Sequence, residues 1–406
     1  MCDRPAPSFF ATLRACAVGI ALVVAAPAAS LAQVFQTEAT SAVVIDHNTG
    51  QVLLSKLADV PLPPASMSKL MTLLMTYEAL EDGRLTMDTV LPVSEHAMSF
   101  GGSTMFLDTT DRVRVEDLIR GIIVLSGNDA CVVLAEALSP DGTEEGFAEM
   151  MTQRARDLGM TQSSFRNASG WPALGHVMSM KDLAFIAEKI ITDFPEYYTM
   201  FAETEFAFDG RAPSNTRNRN PLLRLDIGAD GLKTGHTEEA GYGLVGSALQ
   251  GERRVTFVIS GLETEAARAR EAERIVNWAF RQFAQTTVLT EGAVVGEAPV
   301  FMGAASSVPL IAGADVSLLM PAVGDRTVSG EVRFNGPLSA PLTAGTEVGT
   351  FHVTVADMAP VTVPLRVAAD VEPAGILRRI QLAGEAVLAR LLGSAADAAP
   401  LSSSEQ

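Results

Sequence analysis

Residues 231–243 read GLKTGHTEEAGYG, a polar cluster set between glycines, and they lead into GYGLVGSAL (241–249), which has the apolar content of a buried strand. Lys233 is conspicuous there because the chain avoids lysine. Of its thirty basic side chains, five are Lys (Lys56, Lys69, Lys181, Lys189 and Lys233) and twenty-five are Arg. A loop accounts for the glycines but not for the order Lys-Thr-Gly-His. The cation acquires a chemical meaning only beside a second lysine, and one lies upstream.

LPPASMSKLMT (62–72) places Ser66 and Lys69 three residues apart, where a proline-rich approach gives way to a helical pattern. From about Met67 the spacing of Leu70, Leu73, Leu74 and Tyr77 predicts a helix with one buried stripe. Side chains at i and i+3 share a helix face and reach each other. A serine hydroxyl is a weak nucleophile until a neighbouring base takes its proton. Lysine can be that base when burial and nearby cations lower its pKa, whereas arginine stays protonated. The first helical turn also points free backbone N–H groups toward Ser66, where an oxyanion would develop. Read alone, Ser-x-x-Lys also describes a capped helix with an exposed lysine.

Further along, VLSGNDACVVLAE (124–136) sets Ser126-Gly127-Asn128 between two apolar helical stretches. A plain helix–helix turn is one reading. The chemical reading makes Ser126 a proton relay beside Lys69 and lets the Asn128 amide bond both Lys69 and a substrate carbonyl. Lys233, Thr234 and Gly235 complete the set. A second cation depresses the pKa of Lys69 and attracts a carboxylate, Thr234 offers a hydroxyl, and Gly235 lets substrate backbone approach closely. The N–H of His236 is a candidate oxyanion donor. Its ring has no companion ligands in the sequence, so no metal site is expected.

The rest of the chain frames these motifs. Residues 1–32 carry Arg4 and Arg14 before the apolar run ACAVGIALVVAAPAA (15–29) and end in small residues at Ala32, the pattern of a cleaved export signal. Cys2 and Cys16 leave with it, and Cys131 remains in an apolar helical pattern as a buried, inert thiol. A net charge of −18 with no basic stripe argues against a nucleic-acid partner. SAVVIDHNTGQVLLS (41–55) predicts two short strands. Helices are expected at 115–125, 128–138, 144–158, 180–192 and 264–283, with a capping box in SMKD (179–182). Residues 286–370 hold no Lys, three Arg and many Val, Gly and Pro in short runs, predicting a small all-β sandwich. AGILRRIQLAGEAVLARLLG (374–393) returns to helical period. Ile376, Ile380, Ala383, Val387 and Leu391 form its apolar face and Arg379 and Arg390 lie beside it, so it is expected to lie in a membrane interface, with packing on the β domain as the alternative. The expected organisation is a signal (1–32), a catalytic domain (33–285), a β domain (286–372), an amphipathic helix (373–393) and a tail (394–406).

Ser-x-x-Lys, Ser-x-Asn and Lys-Thr-Gly in this order are the signature of penicillin-binding proteins and class A β-lactamases. With GGSTMFL (101–107) and DGLKTGHTEEAGYGLV (230–245), they make residues 40–283 resemble the low-molecular-mass penicillin-binding proteins that act as serine-type D-alanyl-D-alanine carboxypeptidases. The resemblance implies an α/β fold: an antiparallel sheet flanked by helices, with the active site between the sheet and a helical subdomain. The β domain and amphipathic helix follow it. Ser66 is then implied to attack the penultimate D-Ala carbonyl of a peptidoglycan stem peptide, with Lys69 as general base. Ser126 would relay the proton to the leaving amine, and the N–H groups of Ser66 and His236 would bind the oxyanion. Arg219, in TRNRNPLLR (216–224), stands where the family carries a carboxylate-contacting arginine. Stem peptides and β-lactams are the implied ligands, the periplasmic face of the cytoplasmic membrane the implied location, and no cofactor is required.

Three alternatives remain at this level. A class A β-lactamase needs a Glu in the loop after Ser-x-Asn, and MTQSSFRNASGWPALGHVMSM (160–180) holds no acid. D,D-endopeptidase action on crosslinks uses the same chemistry with a larger leaving group. A non-enzymatic wall-binding role is the third, and the intact motifs weigh against it.

Overall fold

SAVVID, GYGLVGSALQ and RRVTFVISGL are buried almost continuously rather than at alternate positions, so successive side chains enter cores on both faces of a sheet. The computed structural model describes residues 35–211, 215–322, 326–355 and 360–376, with 378, 380 and 381. The expected signal (1–32), most of the expected C-terminal helix and the tail lie outside the described residues.

Strands β1 (Ser41–Asp46) and β2 (Val52–Lys56) form the predicted hairpin, and β3 (Val90–Pro92) pairs with β4 (Arg112–Arg114) in a small separate ribbon. With β5 (Ala229–Thr237), β6 (Gly241–Gln250) and β7 (Arg253–Leu262), the hairpin makes a five-stranded antiparallel sheet in the order β2-β1-β7-β6-β5. Lys233-Thr234-Gly235 therefore belongs to a strand rather than to a loop, and that strand is the sheet edge. Leu244, Phe257 and Ile259 face Ile275 and Val276 of the long helix after β7. Leu232, Val245 and Val258 face the helical subdomain.

That subdomain contains α1 (Lys69–Glu81), α2 (Glu95–Ser99), α3 (Val115–Arg120), α4 (Asn128–Leu138), α5 (Glu144–Asp157), α6 (Met180–Asp193) and the short α7 (Pro195–Tyr198). Helix α8 (Glu265–Gln282) covers the other face of the sheet. Side-chain caps set the starts of α5, α6 and α8: Thr143, Ser179 and Thr264 each accept the backbone N–H three residues on, at 3.0–3.1 Å. The helix expected over 115–125 changes pitch at Gly121 and continues to Leu125 as a wider π turn. Helix α1 differs more from expectation. In place of one buried stripe, every residue from Lys69 to Tyr77 is buried, because α4, α5 and α6 surround it. Its threonines are satisfied internally, Thr76 Oγ1 donating to Thr72 O at 2.7 Å and Thr72 Oγ1 to Ala168 O at 2.6 Å.

After α8 come β8 (Phe283–Leu289), β9 (Val294–Phe301), β10 (Ser307–Ala312), β11 (Val316–Pro321), β12 (Val328–Phe334), β13 (Leu338–Ser339), β14 (Glu347–Val355) and β15 (Val361–Val367). A six-stranded sheet, β12-β14-β15-β10-β9-β13, and the β8–β11 pair share one core that includes Leu310, Leu318, Phe351 and Leu365. The Gln51 side-chain oxygen accepts the Leu319 N–H at 2.6 Å and ties β11 to the first hairpin. The described start of the C-terminal helical segment leaves Ile376 and Ile380 78% and 66% exposed.

Candidate active site

Ser66 lies in a 3₁₀ turn (Ala65–Ser68) that precedes α1, entered through Ala65 at φ 48°. Two glycines make room for it. A Cβ on Gly235 would stand 3.0 Å from Met67 Cγ and 3.1 Å from Pro64 O. Gly170 has φ +77°, and a Cβ there would fall 1.9 Å from the Ala65 carbonyl oxygen. The Ser66 turn is thus pressed between the edge strand β5 and the loop that precedes α6.

Lys69 is fully buried, and its three ammonium donors have three acceptors. Nζ donates to Ser66 Oγ at 2.9 Å, to Asn128 Oδ1 at 2.7 Å and to the Ser169 carbonyl. Burial is the main reason its pKa falls to about 8, and Arg219 lowers it further against the opposing fields of Asp129 and Glu144. The Cys131 thiol behind it is pushed up to about 12 by burial and stays protonated, as its apolar setting implied.

The Ser-Gly-Asn segment forms where the π turn ends. Ser126 is almost fully buried in a left-handed conformation, φ 63° and ψ 34°, which costs a non-glycine residue on the order of 1–3 kcal/mol. Among the described contacts its hydroxyl meets Lys233 Nζ at 2.9 Å, whereas Lys69 meets Ser66. Lys233 is buried as well and also donates to Thr234 O at 3.1 Å. Its pKa lies well below the ordinary lysine value through burial, then through Lys69 and Arg219. Asn128 Nδ2 donates to Gly101 O at 2.8 Å, so its amide links Lys69 to the GGSTMFL segment.

Arg219 reaches the same corner, donating to Ser103 Oγ at 2.9 Å and Leu125 O at 3.0 Å. Thr234 is buried, while the His236 ring is exposed and stacks on Tyr242 with centroids 3.8 Å apart. All nine residues singled out in the sequence gather at this junction of α1, α4 and β5.

Three supporting residues escaped sequence reading. Asp129 accepts the N–H groups of Met105, Leu107 and Ala130 at 2.9–3.1 Å, fixing residues 105–107 against α4. An acid adjoining the Ser-x-Asn motif at the head of an apolar helix was the available signal. Arg268 is buried, lies over the Tyr242 ring at 5.8 Å and donates to Arg219 O at 3.3 Å. Asp230, at the start of β5, is clamped by Arg254 at 2.7–2.8 Å and by the Tyr198 hydroxyl at 2.6 Å.

The loop over 160–180 brings backbone rather than acid to the site. Asn167 Oδ1 accepts the N–H groups of Ser169, Gly170 and Trp171 at 2.8–3.2 Å. Beside it a groove of about 480 Å³ runs past the Ser66 turn, lined among others by Ala65, Trp171, Leu174, His176 and Glu239.

Comparison with known proteins agrees with this geometry. A family model described as D-alanyl-D-alanine carboxypeptidase matches residues 26–264, and one described as penicillin-binding protein 5, C-terminal domain, matches 283–373. The D-alanyl-D-alanine carboxypeptidase DacF of Bacillus subtilis is 34% identical over 346 residues, 82% of this chain and 87% of that protein. Penicillin-binding protein 5 from Haemophilus influenzae superimposes with a TM-score of 0.71 at 33% identity, covering 83% of this chain and 98% of that one. Penicillin-binding protein D2 from Listeria monocytogenes, solved in an ampicillin-bound form, gives a TM-score of 0.55 at 31% identity over 61% of this chain and 99% of its own. A serine hydrogen-bonded to a buried lysine between an antiparallel sheet and a helical subdomain, followed by this β domain, accords with the family models and relatives that place the chain in the serine-type D-alanyl-D-alanine carboxypeptidase family.

Proposed function

We propose that the chain removes the terminal D-Ala from peptidoglycan stem pentapeptides through an acyl-enzyme on Ser66. The observation that carries this reading is the 2.9 Å contact of Ser66 Oγ with a lysine that is buried enough to lose its proton. In the neutral amine, two N–H groups keep Asn128 Oδ1 and Ser169 O, and the lone pair faces Ser66. The Ser66 proton then moves to Nζ as Oγ bonds the carbonyl carbon. The N–H groups of Ser66 and His236 serve the oxyanion. As the C–N bond breaks, Ser126 gives its proton to the departing D-Ala amine and regains one from the Lys69–Lys233 side. Water then cleaves the ester. Lys233 and Arg219 supply the positive field for the substrate carboxylate, with Thr234 and Gly235 lining its path along the strand edge. Incubation with a stem pentapeptide and with a crosslinked dimer separates the nearest alternative. Free D-Ala from the pentapeptide is the expected main product, and preferential cleavage of the dimer would favour the endopeptidase.

The same reading places residues 33–406 outside the cytoplasm after removal of the signal, attached to the membrane surface by the helix expected over 373–393. The exposure of Ile376 and Ile380 supports an apolar face with no protein cover at its described start. No helix among the described residues is long and apolar enough to cross a membrane. Pro373 bridges Gly303 and Ala374 N donates to Met302 O, so a truncation that spares the β domain ends at Gly375. That chain is expected to keep its activity and to lose sedimentation with anionic vesicles. Undiminished vesicle binding would remove the helix as the anchor.

A further inference from the structure

The carboxylate of Glu144, the first residue of α5, is buried behind the active site and bridges two separate elements. Oε1 accepts the Ala168 N–H at 2.9 Å, and Oε2 meets Nε2 of the half-exposed His96 at 3.0 Å. Ala168 and Ser169 are the residues whose carbonyls receive Thr72 and Lys69, one helical turn apart on α1. Glu144 thus holds from behind the short backbone segment that Lys69 grips from the front. Asn167 pins the far side of that segment.

We infer that Glu144 is a positioning residue for the general base: by anchoring Ala168 and buried negative charge together, it aims the Ser169 carbonyl at Lys69 and sets how readily that lysine gives up its proton. The inference rests on Lys69 acting as the base toward Ser66.

Two consequences of the geometry are separable. The first is mechanical, since without the carboxylate the Ala168 N–H loses its acceptor in a dry environment and the segment is free to shift. The second is electrostatic. The charged groups acting on Lys69 are Arg219, from the segment before β5; Asp129, on α4; and Glu144, on α5. Lys233 on β5 and His176 in the loop are coupled to it in turn. Arg219 favours the neutral amine, and Glu144 opposes it by stabilising the ammonium. Both Glu144 oxygens are engaged, so it is not presented to Ser66 as a base for a deacylating water.

Glu144→Gln keeps an acceptor for Ala168 N–H and a similar volume but removes the charge. Glu144→Ala removes both. Acylation of each variant by a labelled penicillin is followed against pH, with thermal melts as the check on folding. Loss of the negative charge lowers the Lys69 pKa, so the acid limb of Glu144→Gln moves to lower pH by about half a unit, or about threefold in rate on that limb. Glu144→Ala should acylate more slowly at every pH, and Glu144→Gln should restore most of that loss. A Glu144→Gln profile superposing on the wild type, or a plateau as low as that of Glu144→Ala, would overturn the inference while leaving Ser66 and Lys69 in their roles. Wild-type protein that forms no adduct at Ser66 would instead remove the functional reading beneath it.

Discussion

Ser66→Ala is expected to abolish covalent capture of labelled penicillin, where the wild type takes up one label per chain at a peptide containing Ser66. The loss should be complete because the hydroxyl oxygen forms the bond, and among the described hydrogen bonds Ser66 is the serine whose hydroxyl meets Lys69. Ser126, the other serine on a buried lysine, meets Lys233 across the cleft and sits in a left-handed turn that faces Lys233 rather than Lys69. Removing the Ser66 hydroxyl frees one Lys69 donor but opens no cavity of consequence, so the variant should melt close to the wild type. The wild-type adduct should be long-lived, because residues 160–180 contain no acid and both Glu144 oxygens are engaged. An adduct on another serine, or fast repeated nitrocefin turnover, would contradict this assignment.

Lys69→Arg should lower the acylation rate by about a thousandfold, the range lost when a positioned general base is removed. Arginine retains a cation for Asn128 and Ser169 but cannot give up its proton at any working pH. Lys69→Met, neutral and of similar reach, guards against misfolding as the cause: it should fold and be equally slow. Acylation within tenfold of the wild type by either variant would exclude Lys69 as the base. The pH dependence has a definite sign. Because the active form is the neutral amine, the wild-type rate should climb with pH and level off above about 8. Stability follows the same linkage. Between about 8 and the ordinary value of 10.5 the unfolded chain binds a proton at this lysine that the folded chain does not, so folding gains stability as pH rises through that window.

The residues of the site were legible in the sequence because each has a chemistry that few residue types can perform. A chain that otherwise uses arginine has reason to place lysine where a proton must leave, and Lys69 and Lys233 are the two that are fully buried. Helix starts were legible for a local reason, since Thr143, Ser179 and Thr264 act on their own backbones. Periodicity failed at α1, where a stripe was expected and burial is all-round, because a 3.6-residue repeat reports only one-sided contact. It also gave no sign of the partners supplied by distant chain. The Ser169 carbonyl, the Arg268 guanidinium and Glu144 act through contacts 24 to 100 residues away, and a backbone oxygen has no sequence signature at all.

The clearance around Ala65 bears on how such an enzyme could escape an inhibitor. Gly170 and Gly235 both touch the Ser66 turn: a side chain at Gly170 collides with the Ala65 carbonyl, and one at Gly235 presses on Met67 and Pro64 at 3.0–3.1 Å. Selection therefore has little room to exclude a β-lactam by narrowing the pocket next to the nucleophile, since the same change displaces Ser66 itself. Tolerated variation is confined to the outer rim of the cleft, where Trp171, Leu174 and Glu239 are partly or fully open to solvent. Discrimination between drug and peptide in this lineage should accordingly evolve through what the ligand meets on entry, leaving the reacting centre unchanged.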